Sequence, residues 1–169
     1  QARAQPAPAQ SPEDAAFDAL AAAWLEASLR LSPITATLWG DHRYDDRLDD
    51  LSLAGWTARR DSAEAFLARL TAIAPAKLSR ERQVDAAILE NQLAGQVWTD
   101  QVLQDCAWDP LIYSNVAGGA LNSLMSREFA PLPQRLHSAT ARMEKLPALL
   151  AQSRRELQPK RVPKVHADT

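Results

Sequence analysis

The sequence predicts an all-α fold, an irregular antiparallel bundle of about six to seven helices with one long central helix. Apolar residues recur at three- and four-residue spacing through most of residues 11–159, which places them on one face of a helix. Start signals precede several of these stretches, where a serine or aspartate is followed directly by proline. Strand signals are weak, because polar and apolar residues seldom alternate and no Asn-Gly or Asp-Gly turn separates alternating runs.

The first helix has a clear start at residues 11–14, where an N-cap serine is followed by proline and two acidic residues that favour the positive end of a helix. Its expected buried face is formed by Phe17, Leu20, Ala21, Trp24, Leu25 and Leu31. Ser32 and Pro33 then end this helix and start a short second one. Gly40 is expected to end the second helix in a left-handed conformation.

Two longer helices are predicted next, one from residue 52 to about residue 73 and one over residues 80–107, with Ser79 as its N-cap. The expected inner stripe of the second is Val84, Ile88, Leu89, Leu93, Val97, Trp98, Val102, Leu103 and Cys106. Such a helix would be roughly 40 Å long, more than a compact domain of this size usually needs. We therefore expect its far end to pack against protein outside this chain.

The remaining helices begin at Asp109-Pro110 and near Pro131. Gly118 and Gly119 interrupt the first of them, and we favour a close helix crossing there over a bend that opens on a cleft. In the second, Pro147 either kinks the helix or begins another one. Its expected buried residues are Leu136, Met143, Leu146, Leu149, Leu150 and Leu157.

Composition bounds the class of protein. The 169 residues fit one domain, with a disordered Ala/Gln/Pro leader at 1–10, a helical domain at 11–159 and a flexible tail at 160–169. A net charge of −2 gives no reason to expect nucleic acid. No stretch is apolar and long enough to predict a membrane span. The leader is typical of what remains after signal-peptide cleavage and predicts a periplasmic or exported protein. The alternative is an ordinary chain terminus of the same composition.

The most polar segment is the loop at residues 40–50, which carries five aspartates and one histidine. It lacks the glycine that a calcium-binding EF-hand loop needs, and its arginines neutralise the acids locally. We expect an ordinary structural loop, and keep a cleft-lining role and a metal site as alternatives. His42, Tyr44 and Asp45 are the candidate residues for a cleft, because the loop joins two helices and can turn inward.

No catalytic motif is present. The sequence contains no His-Glu-x-x-His, Cys-x-x-Cys or phosphate-binding glycine loop, and none of its three histidines is followed by glutamate. The single cysteine, Cys106, cannot form an intramolecular disulfide and is expected to be a small buried apolar side chain. We therefore assign no catalytic residue and no metal ligand to this chain.

A series of local patterns resembles the N-terminal part of the bacterial family called domain of unknown function 885. They are LSP at residues 31–33, GDHRYDDRL at 40–48, WDP at 108–110, REFAP at 127–131 and LPALL at 146–150. The patterns are short, but their order and spacing extend over residues 17–163. The resemblance implies a zinc-dependent, carboxypeptidase-like helical peptidase whose metal-binding His-Glu motif lies in a later part of a longer chain.

The resemblance implies that this chain is the N-terminal helical region of an exported zinc metallopeptidase-like protein. It would form part of the substrate cleft wall and would not be catalytic by itself. Its partners would be the C-terminal region of the same protein or another protein, together with a peptide substrate. The alternative is a stand-alone helical interaction or structural module without enzymatic activity.

Overall fold

The computed structural model describes residues 11–167, and the leader predicted at 1–10 lies outside them. These residues form seven α-helices of seven residues or more and one shorter helix, with no β-strand among them. The helices are α1 (Pro12–Leu31), α2 (Pro33–Trp39), α3 (Leu53–Thr71), α4 (Arg80–Trp98), α5 (Pro110–Met125), α6 (Leu132–Met143), α7 (Leu146–Glu156) and α8 (Lys164–Ala167). The all-α prediction is confirmed.

The helix ends follow the sequence signals. The Ser11 hydroxyl accepts a hydrogen bond from the Asp14 backbone N–H at 3.0 Å, so it caps α1. Gly40 ends α2 with a φ of 89°, a left-handed conformation that a residue with a Cβ rarely adopts. The Asp109 carboxylate caps α5 by accepting from the Leu111 N–H at 2.9 Å.

The predicted long helix over residues 80–107 is one bent helical segment. Regular α-helix ends at Trp98, a π-helical turn follows at Thr99–Leu103, and a 3-10 turn follows at Asp105–Ala107. The bend occurs because Gln104 takes a left-handed conformation with a φ of 51°. The predicted inner stripe was partly wrong, since the buried residues of α4 are Ala86, Leu89 and Leu93, while Val84, Ile88, Trp98, Val102 and Leu103 are exposed.

One hydrophobic core lies between α1, α3 and α4. It consists of Phe17, Leu20, Ala63, Phe66, Leu70, Leu78, Ala86, Leu89 and Leu93. Burial of the leucine and phenylalanine side chains stabilises each by about 1.5–3 kcal/mol relative to exposure. This core fixes the first half of the chain as a three-helix unit.

A second core joins the middle of the chain to its C-terminal part. Leu51, Tyr113 and Leu149 form its buried centre, and the Trp56 indole packs beside them while its N–H donates to the Leu51 carbonyl at 3.0 Å. Because Leu51 directly follows the 40–50 loop and Leu48 of the loop packs against this core, the core anchors the C-terminal end of the loop.

The buried face of α6 is not the face that the sequence predicts. Its buried residues are Arg135, Ala139 and Arg142, whereas Leu136 and Met143 are exposed. Leu150 of α7 is also exposed, so these three members of the predicted buried stripe are corrected here. The physical reason is that both arginines reach backbone carbonyls of α5 or of the segment after it, which gives their guanidinium groups hydrogen-bond acceptors inside the protein.

One glycine allows a close approach of the backbone. A Cβ on Gly55 would lie 2.2 Å from the Asp50 carbonyl oxygen, so only glycine fits there. Helix α5 runs without a break through Gly118 and Gly119, so the pair does not bend it. A Cβ on Gly119 would lie 3.7 Å from the Ile34 side chain, an ordinary packing distance, and a Cβ on Gly118 would meet no atom within 4 Å, so neither position shows an unusually close helix crossing.

The segment predicted as a flexible tail contacts the 104–109 turn. The Gln158 N–H donates to the Ala107 carbonyl at 2.8 Å, and the Arg161 guanidinium donates to the Gln104 side chain at 2.9 Å. The His166 ring lies edge-on to the Trp108 indole with 6.2 Å between the ring centroids. The Arg161 and His166 contacts lie in the part of the tail that the structure describes, up to residue 167, whereas Gln158 lies just before the tail predicted at 160–169.

Candidate functional site

The polar loop at residues 40–50 is anchored by Tyr44. The loop leaves α2 at Gly40 and makes a 3-10 turn at His42–Tyr44. The Tyr44 ring is buried, and its hydroxyl donates to the Glu26 carboxylate at 3.1 Å. Tyr44 therefore ties the loop to α1 and is not presented to solvent.

Asp45 and His42 form a hydrogen-bonded pair at the start of this loop. The Asp45 carboxylate is buried and accepts from the Thr37 hydroxyl at 2.7 Å. The His42 Nδ1 lies 3.0 Å from the other Asp45 carboxylate oxygen. The His42 ring stacks on Phe129, with 3.7 Å between the ring centroids and planes 8° apart. The Nδ1 atom of His42 therefore already has Asp45 as its hydrogen-bond partner.

Arg142 extends this pair into the interior. Its side chain is 0% exposed, and its guanidinium donates to the Thr37 hydroxyl at 2.6 Å and to the Ala120 carbonyl at 2.7 Å. Longer contacts reach the Ser123 hydroxyl and the Pro33 carbonyl. Burial lowers the pKa of Arg142, while nearby aspartates, Asp45 first, favour its charged form. The cation is therefore linked to Asp45 through the Thr37 hydroxyl.

A second acid, Asp49, closes the loop onto α2. Its carboxylate accepts from the Ile34 N–H at 3.0 Å, at the start of that helix. Burial raises the pKa of the Asp49 carboxyl, although this hydrogen bond and the charges of Arg59 and Arg142 act in the opposite direction. Desolvation is the largest of these effects.

On the outer side of the loop, Arg43 pairs with the exposed acid Glu26 and with Asp41, which is only partly exposed. Its guanidinium donates to Asp41 at 2.6 Å and to Glu26 at 2.7 Å. Hydrogen bonds from Arg43 lower the pKa of both carboxyls. Because Arg43 and Glu26 are solvated, their ion pair contributes little to stability.

This arrangement orients the His42 ring through the Asp45 carboxylate. A histidine oriented by a carboxylate can act as a general base, yet catalysis also needs a nucleophile or an activated water. Across residues 11–167, no hydroxyl or thiol makes a hydrogen bond to His42. The aspartates of the loop are held by N–H and O–H donors or by arginine.

The described residues do not fit a zinc ion. They contain no group of three or more His, Cys, Asp or Glu side chains that could hold a metal. A protein zinc site needs about three such ligands around one point. The zinc that the family resemblance implies therefore finds no ligand set in this part of the protein.

The structure brings together two of the three candidate residues, His42 and Asp45, and places the Tyr44 side chain apart against α1. Sequence reasoning missed Thr37 and Arg142. Thr37 lies in a short helix and carries no pattern of its own. Arg142 follows Arg135 by two helical turns, but that spacing alone predicts a solvated helix face as readily as a buried one.

A sequence profile of bacterial proteins of unknown function (DUF885) matches residues 33–169, which is most of the chain. The chain belongs to the DUF885 family. This DUF885 chain is also similar to a solved structure from Shewanella oneidensis, described as a "putative lipoprotein of unknown function". The two share 31% sequence identity and superpose with a TM-score of 0.77.

The similarity covers 84% of the DUF885 chain but only 26% of the Shewanella protein, so the chain spans about a quarter of that neighbour's length. No curated protein matches the chain. None of the helices within residues 11–167 combines the length and apolar character needed to span a membrane.

Proposed function

We propose that this DUF885 chain is a helical region of an exported zinc metallopeptidase-like protein, forms part of the wall of its peptide cleft, and is not catalytic by itself. The zinc ligands and the general base would come from a part of the protein outside the matched region. The resemblance to a helical peptidase family suggests the activity. The proposal places the zinc chemistry in another part of the protein, and it is supported by the lack, among residues 11–167, of any group of three or more His, Cys, Asp or Glu side chains that could hold a metal.

The exposed apolar face of α6 carries this proposal. Leu132, Leu136 and Met143 are 49%, 46% and 55% exposed, whereas the arginines of the same helix are buried and bonded. A helix with its apolar side turned to solvent is typical of a surface that packs against another protein segment. In the Shewanella neighbour the similar region makes up 26% of a longer chain, so further protein is present there that could cover such a face.

One observation supports an exported location. The Shewanella neighbour is described as a "putative lipoprotein of unknown function", and lipoproteins are a class of protein that is exported before it is anchored. We propose a periplasmic location on this basis.

Peptide hydrolysis tests the proposal at two levels. The 169-residue chain, incubated with zinc and a mixture of fluorogenic peptides, should show no turnover above an EDTA control. The intact Shewanella protein should hydrolyse peptides in a zinc-dependent manner, and deletion of the region similar to this chain should abolish that activity. Zinc-dependent turnover by this chain alone, surviving purification controls, would contradict the proposal.

The second candidate, a helical interaction module without enzymatic activity, is favoured by the same exposed face. Substitution of Leu136 by lysine should leave the fold intact, because this side chain is already half-exposed. If the intact Shewanella protein shows no zinc-dependent hydrolysis of any peptide, while a lysine at the equivalent α6 position still disrupts its domain packing, the module is the better description.

A further inference from the structure

A cavity lies where α1, α2, α3 and α4 meet, apart from the exposed face of α6. Its volume is about 280 Å³, and Trp24 and Trp39 form its aromatic walls. A water molecule occupies roughly 30 Å³ of liquid, so the space suits a ligand of about ten non-hydrogen atoms. Polar side chains complete the lining, among them Ser62 of α3 and the amides of Gln92 and Gln96 on α4.

The charge of this cavity comes from Arg59. No carboxylate lines it within the described part of the chain. The Arg59 guanidinium donates to the Asp50 carbonyl at 2.9 Å and, at 3.5 Å, to the Leu31 carbonyl. Both partners are neutral, and across residues 11–167 no acidic side chain pairs with Arg59 within 4.0 Å.

Arg59 is also held in a fixed place. Its guanidinium carbon lies 4.3 Å from the centroid of the Trp56 ring, within the range of a cation–π contact. A guanidinium presents five N–H donors in a planar fork, of which the two carbonyls account for only part. Carboxylates match this fork by accepting two parallel hydrogen bonds.

We propose that this cavity is a binding site for a small monocarboxylate with a flat apolar body. The carboxylate pairs with Arg59, and the body packs on the Trp24 and Trp39 rings. Gln92 donates from α4 to the remaining carboxylate lone pairs or to polar substituents on the body, whereas the Gln96 amide already donates to the Asp100 carboxylate at 2.9 Å. The site uses none of the residues of α6 and does not depend on a peptidase activity.

Three matched probes test the site on the 169-residue chain: phenylacetate, its neutral isostere phenylacetamide, and phenethylammonium, which carries the opposite charge. Binding is measured by isothermal titration calorimetry and by ligand-observed NMR. A ligand of this size should bind in roughly the millimolar range. Phenylacetate should bind about tenfold or more tightly than the amide, because a charge-assisted hydrogen bond replaces a neutral one. Phenethylammonium should not bind.

Four variants locate the site. Trp39→Ala removes an exposed aromatic wall and should weaken phenylacetate binding severalfold, whereas Trp98→Ala removes an exposed tryptophan outside the cavity and should change nothing. Ser62→Leu should block binding by filling the cavity. Arg59→Gln should abolish the preference for the acid over the amide. Far-UV circular dichroism and thermal unfolding establish that each variant is folded.

The outcomes are decisive in either direction. A preference for the carboxylate that is lost in Arg59→Gln or Ser62→Leu and kept in Trp98→Ala supports the site. If Arg59→Gln fails to fold, Ser62→Leu and Trp39→Ala still decide, since neither touches the hydrogen bonds of Arg59. Equal binding of acid and amide, no binding of either, or equal loss in Trp39→Ala and Trp98→Ala would overturn the proposal.

Discussion

Replacing Arg142 by alanine should be among the most destabilising single substitutions in this protein. The side chain is 0% exposed and joins three helices, since its guanidinium bonds the Thr37 hydroxyl of α2 and the Ala120 carbonyl of α5 from its own position on α6. Alanine would remove all of these donors at once. It would also leave a cavity where the long side chain lies.

The magnitude follows from these contacts. A buried acceptor left without its donor costs about 1–3 kcal/mol, and the hydrogen bonds to Ala120 and Thr37 are both short. Two partial compensations reduce the sum, because Thr37 keeps its hydrogen bond to Asp45 and the Arg142 Nε has no partner within the described residues. We expect a loss of about 3–5 kcal/mol in the free energy of unfolding, as for other broken buried charge networks.

Urea unfolding followed by circular dichroism measures this change, provided that the m-value stays constant. Arg155→Ala is the matched control, because Arg155 is an exposed arginine on α7 whose removal should change the free energy of unfolding by no more than about 0.5 kcal/mol. Arg142→Lys keeps one charged donor group and should restore part of the loss. If Arg142→Ala costs less than about 1 kcal/mol, the network does not hold the three helices together and the reasoning is refuted.

Three further predictions follow from packing and burial. Gly55→Ala should destabilise the protein by about 1–3 kcal/mol, because its Cβ would collide with the Asp50 carbonyl. Gly95→Ala should stabilise α4 by about 0.5–1 kcal/mol, because a Cβ at that position meets open space. Thermal unfolding measures both changes, and equal effects of the two substitutions would contradict the close approach at Gly55. Leu149→Ala should lower the free energy of unfolding by about 2–5 kcal/mol, and Leu150→Ala should lower it by under about 0.5 kcal/mol, because the two side chains are 2% and 50% exposed. Similar losses for both variants in urea unfolding would show that the orientation of α7 is wrong. Asp49→Asn should raise the free energy of unfolding at pH 7. Burial in the folded state raises the pKa of the Asp49 carboxyl above its ordinary value, so the folded protein binds the proton more tightly than the unfolded chain does. The contribution of Asp49 to stability therefore falls as the pH rises from its ordinary pKa through its pKa in the folded state. The difference in the free energy of unfolding between Asp49→Asn and the wild type should therefore become smaller as the pH is lowered. A difference that stays constant from neutral to acidic pH would contradict this prediction.

The helical elements were predictable because their signals are local. Ser11 caps α1, Gly40 ends α2, and Asp109 caps α5, each through a hydrogen bond or a backbone conformation that involves neighbouring residues only. The bend at Gln104 was not predictable in the same way. A left-handed glutamine has no sequence signature, and it is stabilised here by contacts with a segment more than fifty residues further along the chain.

The candidate site was predictable only in part. The polarity of the 40–50 loop singled out His42 and Asp45, which the structure brings into hydrogen-bond contact. The residues that complete the network are remote in sequence, since Arg142 lies 105 positions from Thr37. No local pattern links two such residues, because their contact depends on how α2, α5 and α6 pack.

The amino-acid sequence by itself determined that this protein is all-α and where most helices begin and end, because apolar spacing and caps act over one or two turns. Only the tertiary structure decided which face of α6 is buried. Its leucines would favour the interior by hydrophobicity alone, yet Arg135 and Arg142 find carbonyl and hydroxyl acceptors there, and the apolar residues face outward. That choice depends on acceptors supplied by other helices, and those exist only once the chain has folded.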